Sequence, residues 1–323
     1  MKIRAERHTP RAELLELAGR CPGATFFHTP AWAESLAAAW PRFRPRWLTA
    51  RENGRLLAFL PYVDIARGPF HSLQAMPFGT YGDPVGDEAA CGALLDRFFR
   101  AAAGFNCLDA VVSFVDPFRG GDRPRVAGAV TRECSVVDLD GGIADYLARL
   151  SGKKRQLRNR ALREGIVARP LETVEEVAAF HRIYARCSRG WGGVHPYPER
   201  LFVELFRRRD EGVVFWGGFL ANRLLGGNID FYFGRTAQAW QAGHTAEAHE
   251  HDIATVLVVR AVEEAYRRGA RIFNLGSSLG DEGLLFFKRS LGARECDYTV
   301  LARRKRWWTW IRPRGPAGTR ASR

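Results

Sequence analysis

Two apolar segments, followed by apolar residues at a helical spacing, dominate the chain between residues 228 and 292. The segments Asn228–Phe233 and Ala237–Gly243 each predict a strand. A helix follows, because apolar residues then recur every four positions, at Ile253, Leu257, Ala261 and Ala265. Asp252 stands directly before it, and its carboxylate is expected to accept the first free backbone N–H groups. The strand Arg271–Leu275 and an apolar helix around Lys288 complete a strand–helix–strand–helix unit, in which ligands bind where loops leave the strands.

The remaining chain also alternates between strand and helix signals. In the first half, Thr29-Pro30 starts a helix and Asn53-Gly54 joins the two strands of a hairpin. In the second half, a strand at Ser135–Leu139 begins a new series of elements. The expected fold class is therefore α/β (α+β). Two domains are expected, at residues 1–133 and 134–302, followed by a basic, Trp-rich tail at residues 303–323.

Composition narrows the class of protein. A chain of 323 residues that is 46% hydrophobic is long enough for two folded domains. No apolar run approaches the ~20 residues that span a membrane, and the N-terminus lacks a signal-peptide core, so a cytoplasmic enzyme is expected. The six cysteines are widely spaced without a Cys-x-x-Cys pair, which argues against a disulfide framework and against a zinc site.

The net charge of +14 is concentrated in two segments. Lys153–Arg163 carries six basic residues and no acid, and Arg303–Arg323 carries eight and no acid. The first segment predicts a helix whose Arg155 and Arg158 contact a polyanion, with a solvated helix face as the alternative. The second combines basic residues with tryptophans, which predicts peripheral attachment to an anionic membrane. A disordered charged terminus, or tryptophans packed on the second domain, are its alternatives.

Two positions in the second half are candidates for catalytic chemistry. Lys288 is the only lysine between Lys154 and Lys305, on an apolar helix, which favours an ammonium that binds a phosphate or a developing oxyanion. His244 begins a polar segment that ends at Asp252, and its imidazole can accept a proton from an attacking group. A solvated, helix-capping segment is the structural alternative. No metal site is expected, because the pattern His-Glu-x-x-His is absent.

Other residues are candidates for substrate contact, each with a structural alternative. Asn228 and Asp230 alternate with apolar residues, so they point to one sheet face as groove lining or as exposed strand residues. An aromatic, glycine-rich loop contains Trp191, His195 and Tyr197, which can form a wall for a sugar or acyl group or can pack as a loop.

Three motifs of the second half occur in a characteristic order. They are Ala265–Gly269 (A-x-x-x-G), Phe273–Ser278 (a strand that ends in small residues) and Phe287–Ala293 (F-K-x-x-x-G-A). In this order they resemble the Fem-type (FemAB-like) acyltransferases of the GNAT superfamily. The loop Pro77–Pro84, which contains Tyr81, is similar to the Pro-Phe-x-x-Tyr-Gly-x-Pro loop of the bacterial branch.

The resemblance implies two GNAT-like domains in tandem, each a mixed central sheet flanked by helices, with catalysis in the second. It implies an acyltransferase that moves an acyl or aminoacyl group to an amine or hydroxyl of a cell-envelope or polysaccharide precursor. The donor is acyl-CoA or aminoacyl-tRNA, and no tightly bound cofactor is implied. The family's Arg-rich helix corresponds to the one with Arg155 and Arg158, and its F-K block places Lys288 toward the groove.

The expected partners are a small-molecule or lipid-linked precursor and tRNA. A third is the anionic inner face of the membrane, which the tail is expected to contact. The usual Arg/Gln-x-x-Gly-x-Gly/Ala run is missing, and carboxylates such as Glu247 and Asp252 repel phosphate, which argues against coenzyme A at this helix start. A non-catalytic basic protein that binds RNA or an anionic membrane is the alternative function.

The expected catalytic residues are Lys288, His244 and Asp230, in one groove, because the loops after Gly243 and Leu275 open on the same edge of the sheet. No serine nucleophile is expected, because no Gly-x-Ser-x-Gly pattern is present. The expected substrate-binding residues are Arg155, Arg158, Trp191, Tyr197, Tyr81, Asn228 and Ser277.

Overall fold

A computed structural model describes residues 1–78, 80–114, 129–191 and 196–305. The described chain divides into two compact units. The first comprises Met1–Arg132 together with residues 297–305, and the second comprises Glu133–Cys296. Each contains β-strands and α-helices, and the predicted mixed α/β fold class is confirmed.

The first unit is built on a mostly antiparallel sheet in the order β1-β2-β3-β4-β6-β13, with β5 paired to β3. Its helices are α1 (Arg11–Arg20), α2 (Pro30–Ala39) and α3 (Glu88–Ala101). Its strands are β1 (Lys2–Glu6), β2 (Phe43–Glu52), β3 (Arg55–Arg67), β4 (Phe70–Ala75), β5 (Val85–Gly86), β6 (Cys107–Ser113) and β13 (Arg294–Arg304). The hairpin turn has the positive φ angles that suit its sequence, 49° at Asn53 and 83° at Gly54.

The last described strand differs from the prediction, which assigned residues up to 302 to the second domain. In β13, Val300 to Arg304 pair antiparallel with β6, from Ser113 to Asp109. The first tail residues continue this strand, because Arg303 and Arg304 pair with Ala110 and Asp109 of β6. Backbone pairing with β6 therefore returns the chain to the first unit. Residues 306–323, and with them most of the predicted membrane-binding tail, lie outside the described residues.

The second unit has the sheet order β7-β12-β11-β10-β9-β8, in which only β11 and β12 run parallel. Its strands are β7 (Ala129–Asp138), β8 (Val167–Pro170), β9 (Val213–Leu220), β10 (Arg223–Phe233), β11 (Thr236–His244) and β12 (Ile272–Asn274). Its helices are α4 (Gly142–Arg149), α5 (Gly152–Arg163), α6 (Val174–Arg189), α7 (Glu199–Phe206), α8 (Ala246–Glu250), α9 (Ile253–Arg267) and α10 (Glu282–Ser290).

Helices α6 and α9 cover opposite faces of this sheet. On one face, a Cβ placed at Gly227 would lie 2.9 Å from Phe180 of α6. On the other, a Cβ at Gly218 would lie 2.3 Å from Ile253 of α9. These close approaches require glycine and leave little room for solvent on either side of β10.

The start of α9 differs from the prediction in two ways. The polar segment from His244 to Asp252 contains the short helix α8, which Thr245 caps by accepting a hydrogen bond from Ala248 N at 3.2 Å. Asp252 has a left-handed φ of 50° and makes no side-chain cap to the helix backbone. Its carboxylate instead accepts hydrogen bonds from Lys154 Nζ, at 3.1 and 3.2 Å, and from Thr255 Oγ1, at 2.9 Å. The predicted cap is therefore wrong, because the carboxylate binds a lysine of α5 instead of the first backbone N–H groups of α9.

Candidate active site

The sheet of the second unit opens between its two parallel strands. β11 and β12 are joined by three register pairs, from Thr236 with Ile272 to Gln238 with Asn274. β12 ends there, whereas β11 pairs with β10 as far as His244. β11 therefore extends six residues beyond its last pair with β12. The loop after β12 lies beside this opening.

One carboxylate organises that loop. Oε1 of Glu133, on β7, accepts hydrogen bonds from Ser277 Oγ (2.6 Å), Ser278 N (2.6 Å) and Leu279 N (3.0 Å). Gly276 and Leu279 have left-handed φ angles of 72° and 52°, and successive N–H groups in such a turn form an anion-binding concavity. Oε2 of Glu133 is buried and accepts no hydrogen bond from the residues that the structure describes.

Lys288 approaches the same loop from α10. Its side chain is only 4% exposed, and Nζ donates to the carbonyl of Gly276 at 2.8 Å. Burial lowers the pKa of Lys288 to about 8, and the negative charge of Glu133 opposes that shift. At neutral pH the side chain is therefore largely an ammonium, poorly solvated and hydrogen-bonded to a neutral carbonyl. Such a cation interacts strongly with an anion that reaches it.

An aromatic surface lies next to this loop along β11. Gln238 Nε2 is 3.8 Å from the position of a Cβ at Gly276, so strand and loop are in close proximity. Phe231 is the register partner of Gln238 and packs 5.7 Å from Trp240, between ring centroids. Trp240 stacks on Tyr197 at 5.0 Å with 14° between the planes. The stacked pair therefore lies two residues along β11 from Gln238, the residue of this strand that approaches Gly276.

The rest of the predicted aromatic wall adjoins this pair. Tyr184 of α6 stacks with Tyr197 at 6.4 Å and meets Trp191 edge-on at 5.9 Å. Trp191 is 45% exposed. Tyr184 thus links the two predicted wall residues. His195, the third predicted member, lies outside the described residues.

His244 lies at the far end of β11. It lies six positions after Gln238, which is about 20 Å along an extended strand. Burial, together with the neighbouring imidazole of His249, 6.2 Å away between centroids, lowers the pKa of His244 to about 4. The described residues show no contact between His244 and Lys288. The two strand ends do not meet, because β11 is much longer than β12.

Asp230 lies in the core. Its side chain is fully buried on the face of β10 that carries Tyr232, whose hydroxyl donates to the carbonyl of Ala261 in α9 at 3.3 Å. Burial raises the pKa of Asp230 to about 7, opposed by a 2.6 Å hydrogen bond from Asn228 Nδ2. The described residues offer no partner to Asp230 Oδ1 or to Asn228 Oδ1. Neither residue lines an open groove, because helices cover both faces of β10.

The basic helix α5 is largely paired within the second unit. Lys154 binds Asp252, and its Nζ lies 4.7 Å from the ring centroid of Phe287. Arg158 forms an ion pair with Glu263 of α9 at 3.2 Å. Arg155 is exposed, and its Nη1 donates to the carbonyl of Ala148 at 2.8 Å.

Two further predicted substrate-binding residues have structural partners. Tyr81 is 3% exposed in the first unit and packs edge-on against Tyr298 at 5.5 Å. The hydroxyl of Ser277 binds Glu133, and it also accepts a hydrogen bond from Leu279 N at 3.0 Å. Ser277 therefore shapes the loop next to Lys288.

Three residues of the site were not predicted. They are Glu133, Gln238 and Trp240. The alternation that marks β11 as a strand also places Gln238 on the face opposite its apolar neighbours, so it was within reach of sequence reasoning. Glu133 contacts a loop more than 140 residues away, at Ser277, and no local pattern marks it.

Comparison with known proteins defines the class of fold. Residues 148–289 match the family model described as an acetyltransferase (GNAT) domain. The structure is similar to that of FemX, with a TM-score of 0.69 at 12% identity over 93% of this chain and 97% of that one. The chain thus has the fold of GNAT acyltransferases, in its Fem-like form. The predicted resemblance to Fem-type proteins is confirmed at the level of the fold.

Two other solved structures share this fold. One is the C-terminal domain (DUF2156) of a putative lysylphosphatidylglycerol synthetase from Agrobacterium fabrum, with a TM-score of 0.56, 15% identity and 93% of each chain covered. The other is a tandem GNAT protein from the clavulanic acid biosynthesis pathway, with a TM-score of 0.53, 13% identity, and 94% of this chain and 98% of that one covered. Comparison with curated proteins gives no match.

Further features bear on membranes, metals and thiols. Across residues 1–78, 80–114, 129–191 and 196–305, no helix has both the length and the apolar character needed to span a membrane. In the same ranges, no group of three or more His, Cys, Asp or Glu side chains is placed to hold a metal ion. None of the six cysteines, all of which lie in the described ranges, forms a disulfide.

Proposed function

We propose that this protein transfers an acyl or aminoacyl group from an activated carrier to an amine or hydroxyl of a cell-envelope or polysaccharide precursor. The proposal rests on the position of Lys288, whose buried ammonium lies at the opening between β11 and β12 of a Fem-like GNAT fold. The name of one similar structure supports this chemistry, since it is the C-terminal domain of a putative lysylphosphatidylglycerol synthetase and its named product joins an amino acid to a lipid.

Lys288 supplies the positive charge that acyl transfer requires. When the acceptor attacks the carbonyl carbon of the donor, negative charge develops on the carbonyl oxygen. A preorganised ammonium near this oxygen lowers the barrier more than it stabilises the neutral ground state. The hydrogen bond to Gly276 fixes the direction of Nζ and leaves two N–H groups for the substrate.

The start of α9 favours a donor other than coenzyme A. GNAT proteins hold a pyrophosphate on backbone N–H groups at this helix start, and such binding needs an approach free of negative charge. Here the carboxylate of Asp252 stands at that position, bound by Lys154 and Thr255. An aminoacyl ester of tRNA is therefore the donor we propose first, with acyl-CoA as the alternative.

The acceptor is proposed to bind beside the stacked rings of Trp240 and Tyr197, two residues along β11 from Gln238, which approaches Gly276. Flat aromatic faces suit the apolar face of a sugar or an acyl chain. Exposed basic residues of α5, among them Arg155, are proposed to contact phosphates of the donor or acceptor. Peripheral binding of the tail to the inner membrane face remains part of the proposal.

The test is a transfer assay with both donor classes. Purified protein is incubated with lipid or nucleotide-sugar acceptors and with labelled aminoacyl-tRNA or acyl-CoA, and the loss of the carrier ester or thioester is measured. Acceptor-dependent deacylation of tRNA that Lys288→Met abolishes would support the proposal. Binding of RNA or anionic vesicles without turnover of either donor would instead indicate the non-catalytic alternative.

A further inference from the structure

The carboxylate of Glu133 is bound asymmetrically. Three donors, Ser277 Oγ, Ser278 N and Leu279 N, all bind Oε1, at 2.6, 2.6 and 3.0 Å. The second oxygen, Oε2, is buried and has no hydrogen-bond partner within the described residues. A buried carboxylate oxygen without a donor is costly, so such an atom in a native protein points to a ligand or to a catalytic role.

Lys288 is the neighbouring charge. The carboxylate of Glu133 is close enough to raise the pKa of the lysine against the effect of burial. Both side chains are fixed on the same loop, since Lys288 binds the carbonyl of Gly276 and Glu133 binds the next three residues. A hydrogen-bond acceptor, Glu133, and a cationic donor, Lys288, thus lie at one site, and each can make a further hydrogen bond.

We propose that Glu133 is the proton acceptor of the transfer reaction, through Oε2. This role rests on the proposed function and deepens it. A fixed Oε1 holds the carboxylate in one orientation, and the N–H or O–H group of the attacking acceptor is the donor that Oε2 lacks. A general base is effective when it is held within hydrogen-bond reach of the proton before the reaction begins.

The transfer moves one proton to Glu133 and takes one from Lys288. The amine nitrogen or hydroxyl oxygen of the acceptor forms a bond to the carbonyl carbon, and its proton passes to Oε2 of Glu133. The bond from this carbon to the oxygen or sulfur of the carrier breaks, and the leaving atom keeps the electron pair. It takes a proton from the ammonium of Lys288. Proton transfer from Glu133 to Lys288 then restores both side chains.

The other titratable groups of the second unit suit this role less well. His244 is about 20 Å along β11 from the loop. Asp230 is enclosed between β10 and α9, and burial raises its pKa to about 7. Neither contacts the loop at residues 276–279 in the described structure. Glu133 is the carboxylate that the loop itself binds.

The competing explanation is that Glu133 only anchors the loop. Glu133→Gln separates the two roles, because a glutamine oxygen can still accept from Ser277 and the two backbone groups but its amide cannot take a proton. We expect kcat to fall by about 10²-fold or more while the melting temperature stays within a few degrees.

The matched control is Glu176→Gln, which makes the same chemical change on α6, where Glu176 binds Arg169 at 2.5 Å. Its kcat should equal that of the wild type. A second variant, Glu133→Ala, is assayed with added formate, a small carboxylate that fits the vacated position. Formate should restore turnover in Glu133→Ala in proportion to its concentration, and should not restore Lys288→Met.

The outcomes distinguish the two proposals. If the wild type turns over a donor and Glu133→Gln does so equally well with the same pH profile, Glu133 is only an anchor and this inference is overturned. If Glu133→Ala regains no activity with formate while Glu133→Gln is fully active, the same conclusion holds. A wild type that turns over neither donor class overturns the proposed function itself, and this role with it.

Discussion

Lys288 and the basic helix α5 are both cationic parts of the second unit, and they differ in what compensates their charge. In α5, Lys154 is bound to Asp252 and Arg158 to Glu263, each through an ion pair with α9 or the residue before it. Among the residues that the structure describes, Lys288 has no such direct pair, and its hydrogen bond goes to the carbonyl of Gly276.

This difference separates structural cations from a functional one. A cation satisfied by a nearby carboxylate has little remaining attraction for a ligand, whereas a buried ammonium bonded to a neutral carbonyl retains most of it. The cluster of positive charge in α5 is therefore a poorer indicator of the site than a single buried lysine. The predictions below test this contrast.

The largest expected effect is on turnover. Lys288→Met keeps the length and apolar contacts of the side chain but deletes its charge, so transfer should fall by about 10²-fold or more. Arg158→Met makes the matched change on α5 and should alter turnover by less than about threefold, because Arg158 is already paired. Steady-state rates of both variants with one donor check this. Equal losses in the two variants would break the distinction.

Stability should respond to the same two variants with opposite signs. The pKa of Lys288 is about 8 in the folded protein and 10.5 in the reference state, so between these values the unfolded chain binds more protons and stability rises with pH. Lys288→Met should therefore stabilise the protein at pH 7, by at most about 3 kcal/mol. That gain should shrink as the pH rises from about 8 to 10.5.

Denaturant unfolding at several pH values measures this effect. The control is Arg158→Met, for which no gain at any pH is expected. A Lys288→Met protein that is less stable than the wild type at pH 7, and equally so at pH 10, would show that the ammonium is not held at an energetic cost.

The smallest expected effect concerns the ion pair of α5. Arg158 and Glu263 are each about one-quarter exposed, at 25% and 23%, so solvent screens their attraction. A double-mutant cycle with Arg158→Ala and Glu263→Ala should give a coupling energy of about 0.5–1 kcal/mol. The coupling should decrease with added salt. A coupling of zero would leave Arg158 available for a polyanion, as the charge pattern predicted.

Much of the fold of the second unit follows from the sequence. Strand β11 and helix α9 lie close to the predicted bounds, because their apolar spacing matches the period of each element, and β10 ends at the predicted Phe233 but begins earlier, at Arg223. The pairing of β13 could not be predicted, because an apolar pattern indicates a strand but not the strand with which it pairs. The role of Asp252 did not follow either, because the lysine that binds it comes from position 154.

The candidate site was predictable only in part. Lys288 was identifiable because a single lysine on an apolar helix departs from the usual exposure of lysine. Alternation along β10 placed Asn228 and Asp230 on one face, but it could not show that α9 covers that face. His244 was expected near Lys288 because parallel strands end at one edge, and the unequal lengths of β11 and β12 separate them. Glu133 is joined to the loop only by long-range contacts.

The central claim is that the ammonium of Lys288 acts in the transfer reaction, and the pH dependence of kcat/KM tests it most directly. For the wild type, kcat/KM should fall as the pH rises through about 8, because the lysine loses its proton there. In Lys288→Arg, whose guanidinium keeps its proton, the remaining activity should not show this fall. A wild-type profile that is flat from pH 7 to 10, or an identical fall in Lys288→Met, would contradict the claim.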